Sequence, residues 1–270
     1  VFQKNSYLRL PIRLGEDSFK NGIISNEKIS LLTNAILSFK YIIKVHGVND
    51  YKIYATSALR ESRNSREVIS IVKKNTDLNI ELISGLKEAK IISKGNSLEK
   101  VEFNKTFLYV DVGGGSTEFS ILRKGKEKIS RSFKIGTVRL LNNLVDDSML
   151  MDVKNWLKSN IDNDDKIKLF ATGGNINKIQ SMTGSKSGKP ISYLSIKDLS
   201  NTLISFNYEE RMVKFDLNPD RADVIIPALK IFITTMEVVK ANKMFVPKVG
   251  LVDGMINEIF YENNANKLNS

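Results

Sequence analysis

Apolar and polar positions alternate through Ser6-Tyr7-Leu8-Arg9-Leu10-Pro11-Ile12-Arg13-Leu14, the spacing of a half-buried strand, and Pro11 places that strand at a sheet edge or a strand end. Ile29, Leu32, Ile36, Phe39 and Ile43 then recur at helical spacing and predict a helix over 26–46. Ser25 suits its N-cap, although Lys28 stands where a full capping box would carry Glu or Gln. A strand is expected over 51–56, a helix over 57–75, a strand over 79–83 and a helix over 86–93. Strand alternating with helix is the mark of an α/β sheet with parallel strands. From Thr106 the pattern changes. Phe107 to Val112 reads as a buried strand, and Thr117 to Leu122 and Glu127 to Phe133 as two more, joined by a Lys-Gly-Lys turn around Gly125. Lys166 to Ala171 is a further strand, and 218–260 is mostly helical, divided at Met244-Phe245-Val246-Pro247 and at Gly250 and Gly254. The polar stretch from Gly95 to Lys105 marks a boundary near residue 105, giving domains 1–105 and 106–252.

Composition narrows the chemistry more than the fold. With 41% apolar and 26% charged residues in 270, the chain is globular, with one large or two medium domains. It has no cysteine, which excludes disulfides, thiolate metal sites and a cysteine nucleophile. A single histidine, His46, excludes the usual zinc sites and argues against a Ser-His-Asp triad. Carboxylates, hydroxyls, backbone amides and cations are left to do the work. No uncharged apolar run reaches the roughly 20 residues of a membrane helix; the longest, Val224 to Val239, is interrupted by Pro227, Lys230 and Glu237. The opening residues show no signal-peptide pattern. The net charge of +11 favours anionic partners, while the excess of lysine over arginine equally fits plain solubility. No interleaved Arg/aromatic motif supports a nucleic-acid partner.

The strongest chemical signal is Asp111-Val112-Gly113-Gly114-Gly115-Ser116-Thr117-Glu118, directly after a buried strand. Glycines let a backbone approach an anion and take up turns that a Cβ forbids, and successive N–H groups form an anion nest to which Ser116 and Thr117 add hydroxyl donors. Asp111 and Glu118 bracket the nest with carboxylates, a set suited to a hard divalent cation bound together with phosphate. A second strand ends in Thr172-Gly173-Gly174-Asn175 ahead of a helix, a second anion site at a helix N-terminus. Glu88 opens a helix after Ile83-Ser84-Gly85; on its own this segment reads better as a first-turn helix acid than as a functional carboxylate. Arg60 could hold a phosphate in bidentate fashion or pair with Glu61 on an exposed helix.

In order and spacing, these segments resemble the exopolyphosphatase / guanosine pentaphosphate phosphohydrolase family. They are Ala55 to Arg60, Ile83-Ser84-Gly85 with Glu88-Ala89, Asp111 to Glu118, Gly136-Thr137-Val138-Arg139-Leu140, Thr172 to Gly174, Arg221-Ala222-Asp223 and Gly250 to Gly254. The resemblance implies two actin-like (ribonuclease H-like) α/β domains flanking a cleft, with a last helix near 253–263 packing back on the first domain. It implies a Mg²⁺-dependent phosphoanhydride hydrolase, with Mn²⁺ as a substitute, acting on the end of inorganic polyphosphate or on guanosine pentaphosphate. Glu88 resembles the acid that positions or deprotonates the attacking water, Glu118 the second carboxylate and Asp111 a metal ligand. Arg60, Gly113 to Thr117, Gly173, Gly174 and Asn175 resemble phosphate-binding positions. The resemblance further implies a cytoplasmic, bacterial protein with no membrane partner, and leaves a homodimer open. It departs at the start, where the family opens with a strand and an Asp-Ile-Gly-Ser-Asn phosphate loop ahead of the segment matched by Ser6 to Gly15; the expectation is a partial record of a longer protein or a crippled catalyst. The form implied is the short, two-domain one, without the long C-terminal extension that some relatives carry. A non-catalytic polyphosphate- or nucleotide-binding protein, or a sugar or acetate kinase of the same superfamily, are the rival readings.

Overall fold

The computed structural model describes residues 6–85, 87–88, 90–91, 106–123, 126–161, 167–186, 189–247 and 251–268. The chain divides into two compact units, Val1–Glu81 and Leu82–Ser270. The boundary expected near residue 105 falls outside the described residues, as does the turn at Gly125.

In the first unit the helix Asn26–Val45 forms as expected, with the Ser25 hydroxyl accepting the Lys28 N–H and His46 closing the C-terminus. Its buried positions, Ile29, Thr33 and Ile36, follow the apolar stripe. It packs on the helix Ser65–Thr76, which buries Val68 and Val72. Three expectations need correction. Residues 6–14 form no strand: Ser6 to Arg13 are irregular, Leu14–Asn21 is a helix, and Leu8 and Leu10 are exposed. Alternation needs a partner strand to become a ladder, and Pro11, which has no N–H, instead sits in a turn where Ile12 N–H reaches Leu10 O at 3.0 Å. The helix expected over 57–75 is two, Ser57–Arg60 and Ser65–Thr76. Between them the Asn64 side chain accepts from Ile24 N–H (3.0 Å) and donates to Ile24 O (2.9 Å), a backbone mimicry that takes the chain out of helix. The strands expected over 51–56 and 79–83 shrink to β1 (Tyr54–Ala55) and β2 (Glu81–Leu82).

The second unit is built on a six-stranded sheet with strands β3 (Thr106–Val112), β4 (Thr117–Arg123), β5 (Lys126–Phe133), β6 (Ile167–Thr172), β7 (Ile191–Ser192) and β8 (Lys243–Phe245). The spatial order is β5-β4-β3-β6-β8-β7. β3, β6 and β8 run parallel, β4 and β5 form an antiparallel flank, and β7 pairs antiparallel at the far edge. The short β8 lies where the sequence showed only a break in a helical tail. Side chains of one face, including Leu108, Val110, Phe119, Ile121, Leu169, Ala171 and Met244, enter the main core. Helices Asp147–Asn160, Gly174–Met182, Tyr193–Ile204 and Ile225–Val238 cover them with Trp156, Leu157, Ile176, Ile179, Leu203, Leu229 and Phe232. Each such side chain contributes about 1.5–3 kcal/mol on burial, so this face fixes the register of every central strand. Trp156 meets Phe133 edge-on with ring centroids 5.6 Å apart, a structural place. The last helix, Leu251–Leu268, also lies in this unit. Among the described residues, no helix is long and apolar enough to cross a membrane.

Candidate active site

The opposite face of the same sheet carries polar chemistry at one end. Register sets Ser132 of β5 opposite Glu118 of β4, Glu118 opposite Asp111 of β3, and Asp111 opposite Thr172 of β6. Directly opposed residues share a face, so these four side chains form one row across four strands. Hydrogen bonds run along it. Ser132 Oγ donates to Glu118 Oε1 at 2.8 Å, and Thr172 Oγ1 donates to Asp111 Oδ1 at 2.8 Å. Ser116 Oγ donates to the same Glu118 Oε1 at 2.6 Å. Two positions further into the sheet lies a second row, Ser130, Ser120, Tyr109, Phe170 and Phe245, whose three rings form an apolar floor in which Tyr109 stacks on Phe170 at 5.0 Å. Over this floor burial pushes the Asp111 carboxyl above the usual range, and the Thr172 hydroxyl offsets only part of that. Burial also pushes the Tyr109 phenol up.

Both glycine turns open at the ends of the parallel neighbours β3 and β6, beside this row. The turn after β3 is a hairpin closed by Gly113 N–H to Ser116 O at 2.9 Å. Its carbonyls are all engaged: Gly113 O by Thr137 N–H (3.0 Å), Gly114 O by Val138 N–H (2.9 Å), and Gly115 O by Arg139 Nε (2.7 Å). Among the described residues, Gly114 and Gly115 N–H have no acceptor, so these two amides are the ones an anion nest would use. Two details differ from the sequence reading. None of the three glycines has a positive φ, so left-handed geometry is not why they are glycine. Thr117 is fully buried and its hydroxyl donates to Ile135 O at 2.5 Å, while Ser116 holds Glu118; both donors assigned to phosphate are engaged within the protein. The turn after β6 is a different object. Gly173 has φ 105 and ψ 167, a region open to glycine, and it caps the helix Gly174–Met182. Asn175, in the first turn of that helix, accepts from Arg221 Nη1 at 3.2 Å.

Glu88 is buried and helical, in the turn that starts at Gly85. Ser84 caps that helix, accepting Lys87 N–H on Oγ (3.1 Å) and Glu88 N–H on its carbonyl (2.9 Å). Gly85 packs on the end of the row: a Cβ there would come 2.6 Å from Ser132 Oγ and 3.7 Å from Glu118 Oε1. The second unit therefore carries Glu118, Asp111, Gly113 to Thr117, Gly173, Gly174 and Asn175 at one sheet end, and the helix of Glu88 rests on the row through Gly85. Arg60 ends the helix Ser57–Arg60 of the first unit, partly buried.

Sequence reasoning gave no role to Ser132, Thr172, Arg139 or Arg221. The last three lay inside quoted motifs, whereas Ser132 carried no signal, since only strand register sets it beside Glu118. For a metal, no group of three or more His, Cys, Asp or Glu is present among the described residues. Asp111 and Glu118, opposed on β3 and β4, are nonetheless a fitting pair for Mg²⁺, which is held through one or two carboxylates with phosphate and water completing its shell.

Residues 6–262 match the model of the Ppx/GppA phosphatase family. The chain belongs to that family. A bifunctional 3-dehydroquinate synthase/phosphatase of Fusobacterium nucleatum is 33% identical over 252 residues, 84% of this chain and 38% of that protein. Exopolyphosphatase 1 of Mycobacterium leprae is 25% identical over 161 residues, 58% of this chain and 48% of the relative. The chain thus spans half or less of the length of these two family relatives. Among solved structures, an exopolyphosphatase from Cytophaga hutchinsonii superposes with a TM-score of 0.78 at 22% identity, covering 91% of this chain and 86% of that one. The α/β architecture is therefore the fold seen in Ppx/GppA structures.

Proposed function

We propose that this chain hydrolyses the terminal phosphoanhydride bond of inorganic polyphosphate and releases orthophosphate. One observation carries the reading: a hydrogen-bonded row with two carboxylates, Asp111 and Glu118, lies across a sheet end from which two glycine turns of a phosphatase-family chain open. Phosphoryl transfer to water needs positioning and charge neutralisation rather than a covalent nucleophile, and this site offers both without His or Cys. The free amides of Gly114 and Gly115 face one phosphate, and the N-terminus of Gly174–Met182 with Arg221 receives another. Glu88, on its capped helix, orients the attacking water and takes its proton, with Glu118 as the second carboxylate. Asp111 and Glu118 would hold Mg²⁺ or Mn²⁺, which when bound neutralises phosphate charge.

The test is phosphate release from polyphosphate, with guanosine pentaphosphate as the second substrate, with and without chelator. Glu88→Gln should lower kcat about 10²–10⁴-fold while leaving polyphosphate affinity similar or slightly tighter. Wild-type turnover in Glu88→Gln removes that residue from the mechanism, and undiminished release in excess chelator removes the metal. Tight polyphosphate binding with no release by the unaltered protein would replace the hydrolase with a binding module.

A further inference from the structure

We infer that Ser132 is a positioning residue, which sets Glu118 against the start of the helix that carries Glu88. Three observations on separate elements converge on its hydroxyl. Ser132 stands opposite Glu118 in the β4–β5 ladder, so its place is fixed by backbone pairing rather than by a mobile loop. Its Oγ donates to Glu118 Oε1 at 2.8 Å, and with Ser116 at 2.6 Å two hydroxyls clamp one carboxylate oxygen. Gly85 rests directly on it: a Cβ on Gly85 would lie 2.5 Å from Ser132 Cβ and 2.6 Å from Oγ. Only a residue without a side chain fits there, so the helix leading to Glu88 is seated on Ser132 at van der Waals distance. Lys87 and Glu88 N–H are both tied to Ser84, one residue before that contact, which carries the seating through to Glu88.

The physical need is plain. A glutamate has three side-chain torsions, and fixing a long side chain costs about 1.5–2 kcal/mol of rotamer freedom. Glu118 is only 3% exposed and needs donors for its charge. A hydroxyl on the rigid edge of the sheet supplies a donor and a direction together. Because the same atom is the floor under Gly85, Ser132 touches both the Glu118 carboxylate and the helix that carries Glu88. Ser132 is outside both glycine turns, so its removal should alter the chemical step more than substrate capture.

One row lower on the same strand and face stands a built-in control. Ser130 Oγ donates to Ser120 Oγ at 2.8 Å, a bond to a hydroxyl where that of Ser132 goes to a carboxylate. The inference rests on the hydrolase reading, and the experiment separates the two. In the full chain, Ser132→Ala should lower kcat about tenfold or more, with KM within about twofold, while Ser130→Ala keeps wild-type turnover. In a Glu118→Gln background, Ser132→Ala should cost less than about twofold further, because the residue it acts through has already been changed. A full-size loss in both backgrounds, equal losses for Ser130→Ala and Ser132→Ala, or no loss at all would overturn the assignment. If the unaltered protein releases no phosphate, the hydrolase reading fails and the inference is judged by amide NMR. Ser132→Ala should then move the Gly85, Glu88 and Glu118 resonances and Ser130→Ala should not; unmoved Gly85 and Glu88 signals under Ser132→Ala would sink it.

Discussion

The two glycine turns look alike in sequence and are built on different physics. Gly113 to Gly115 have no positive φ, and their shape comes from outside: Thr137, Val138 and Arg139 bond all three carbonyls. The critical glycine of that turn is therefore Gly136, where a Cβ would overlap the backbone of Gly114 and Gly115. The Gly173 turn carries its own requirement, a φ of 105 with ψ 167, and a Cβ there would sit 3.0 Å from Asp111 Oδ1. One turn is held by a neighbour and the other by its own conformation. Composition cannot tell these cases apart, since both read as strand, glycines and a polar residue.

The contrast is sharpest at the two positions that matter most. Gly136→Ala drives a methyl into backbone that cannot rotate away, so the first turn must move. A destabilisation of about 1–3 kcal/mol is expected, with activity down about 100-fold from the displaced amides. Gly173→Ala places a side chain in a region that costs about 1–3 kcal/mol, and crowds the Asp111 carboxylate besides. Denaturant melts and phosphate-release rates check both. The discriminating variant is Gly113→Ala, whose Cβ meets only Ser116 O at 3.1 Å; it should be much milder than either. A Gly113→Ala loss as large as that of Gly136→Ala would show that the first turn is self-determined after all.

The middle term of the comparison is Asp111, which stands next to last in β3 beside the first turn and takes its hydrogen bond from Thr172 at the second. Burial raises its pKa above 3.8, so the folded protein holds this proton more tightly than the unfolded chain. In the window above 3.8 and up to the raised value, the native state therefore binds more protons, and stability falls as pH rises. Asp111→Asn removes that cost. In chelator its melting temperature should match wild type at low pH, rise above it through the window, and stay above it at neutral pH, while phosphate release is lost. A variant less stable than wild type at neutral pH would mean that the carboxylate charge is satisfied in the folded state.

The ends of β3, β4 and β6 were legible in the sequence because buried runs next to glycines leave few alternatives, and so was the proximity of Asp111 and Glu118 to the first turn. The false strand at residues 6–14 shows the limit of periodicity: Leu8 and Leu10 alternate properly, but nothing pairs with them among the described residues. Helical spacing through 57–75 likewise could not show that Asn64 would rather bond Ile24. In the site, what stayed hidden was register. Ser132 and Thr172 matter because pairing puts them beside Glu118 and Asp111, and pairing is a property of two strands at once. The same holds for donors. Thr117 reads as a phosphate hydroxyl until Ile135 O is seen to receive it.

The smallest effect is expected at Gly174, and its size tests whether the second turn is governed by Gly173 alone. A Cβ on Gly174 would fall 2.5 Å from Arg221 Nη2, the far end of a flexible side chain rather than backbone. The guanidinium can swing aside, so Gly174→Ala should cost little packing. Alanine is also the better helix former, by as much as about 1 kcal/mol in a helix interior and less at this first position. Stability should thus stay within about 0.5 kcal/mol of wild type, either side. Arg221 would lose its 3.2 Å bond to Asn175, and with it a fixed approach to the helix N-terminus. A KM for polyphosphate raised severalfold with kcat nearly kept is the expected pattern, that of lost binding without lost chemistry. Arg221→Lys should raise KM similarly, since an ammonium cannot reproduce the planar fork, and adding it to Gly174→Ala should cost little more. If Gly174→Ala instead unfolds the protein as Gly173→Ala is expected to, the second turn depends on both glycines and the contrast with the first turn is one of degree only.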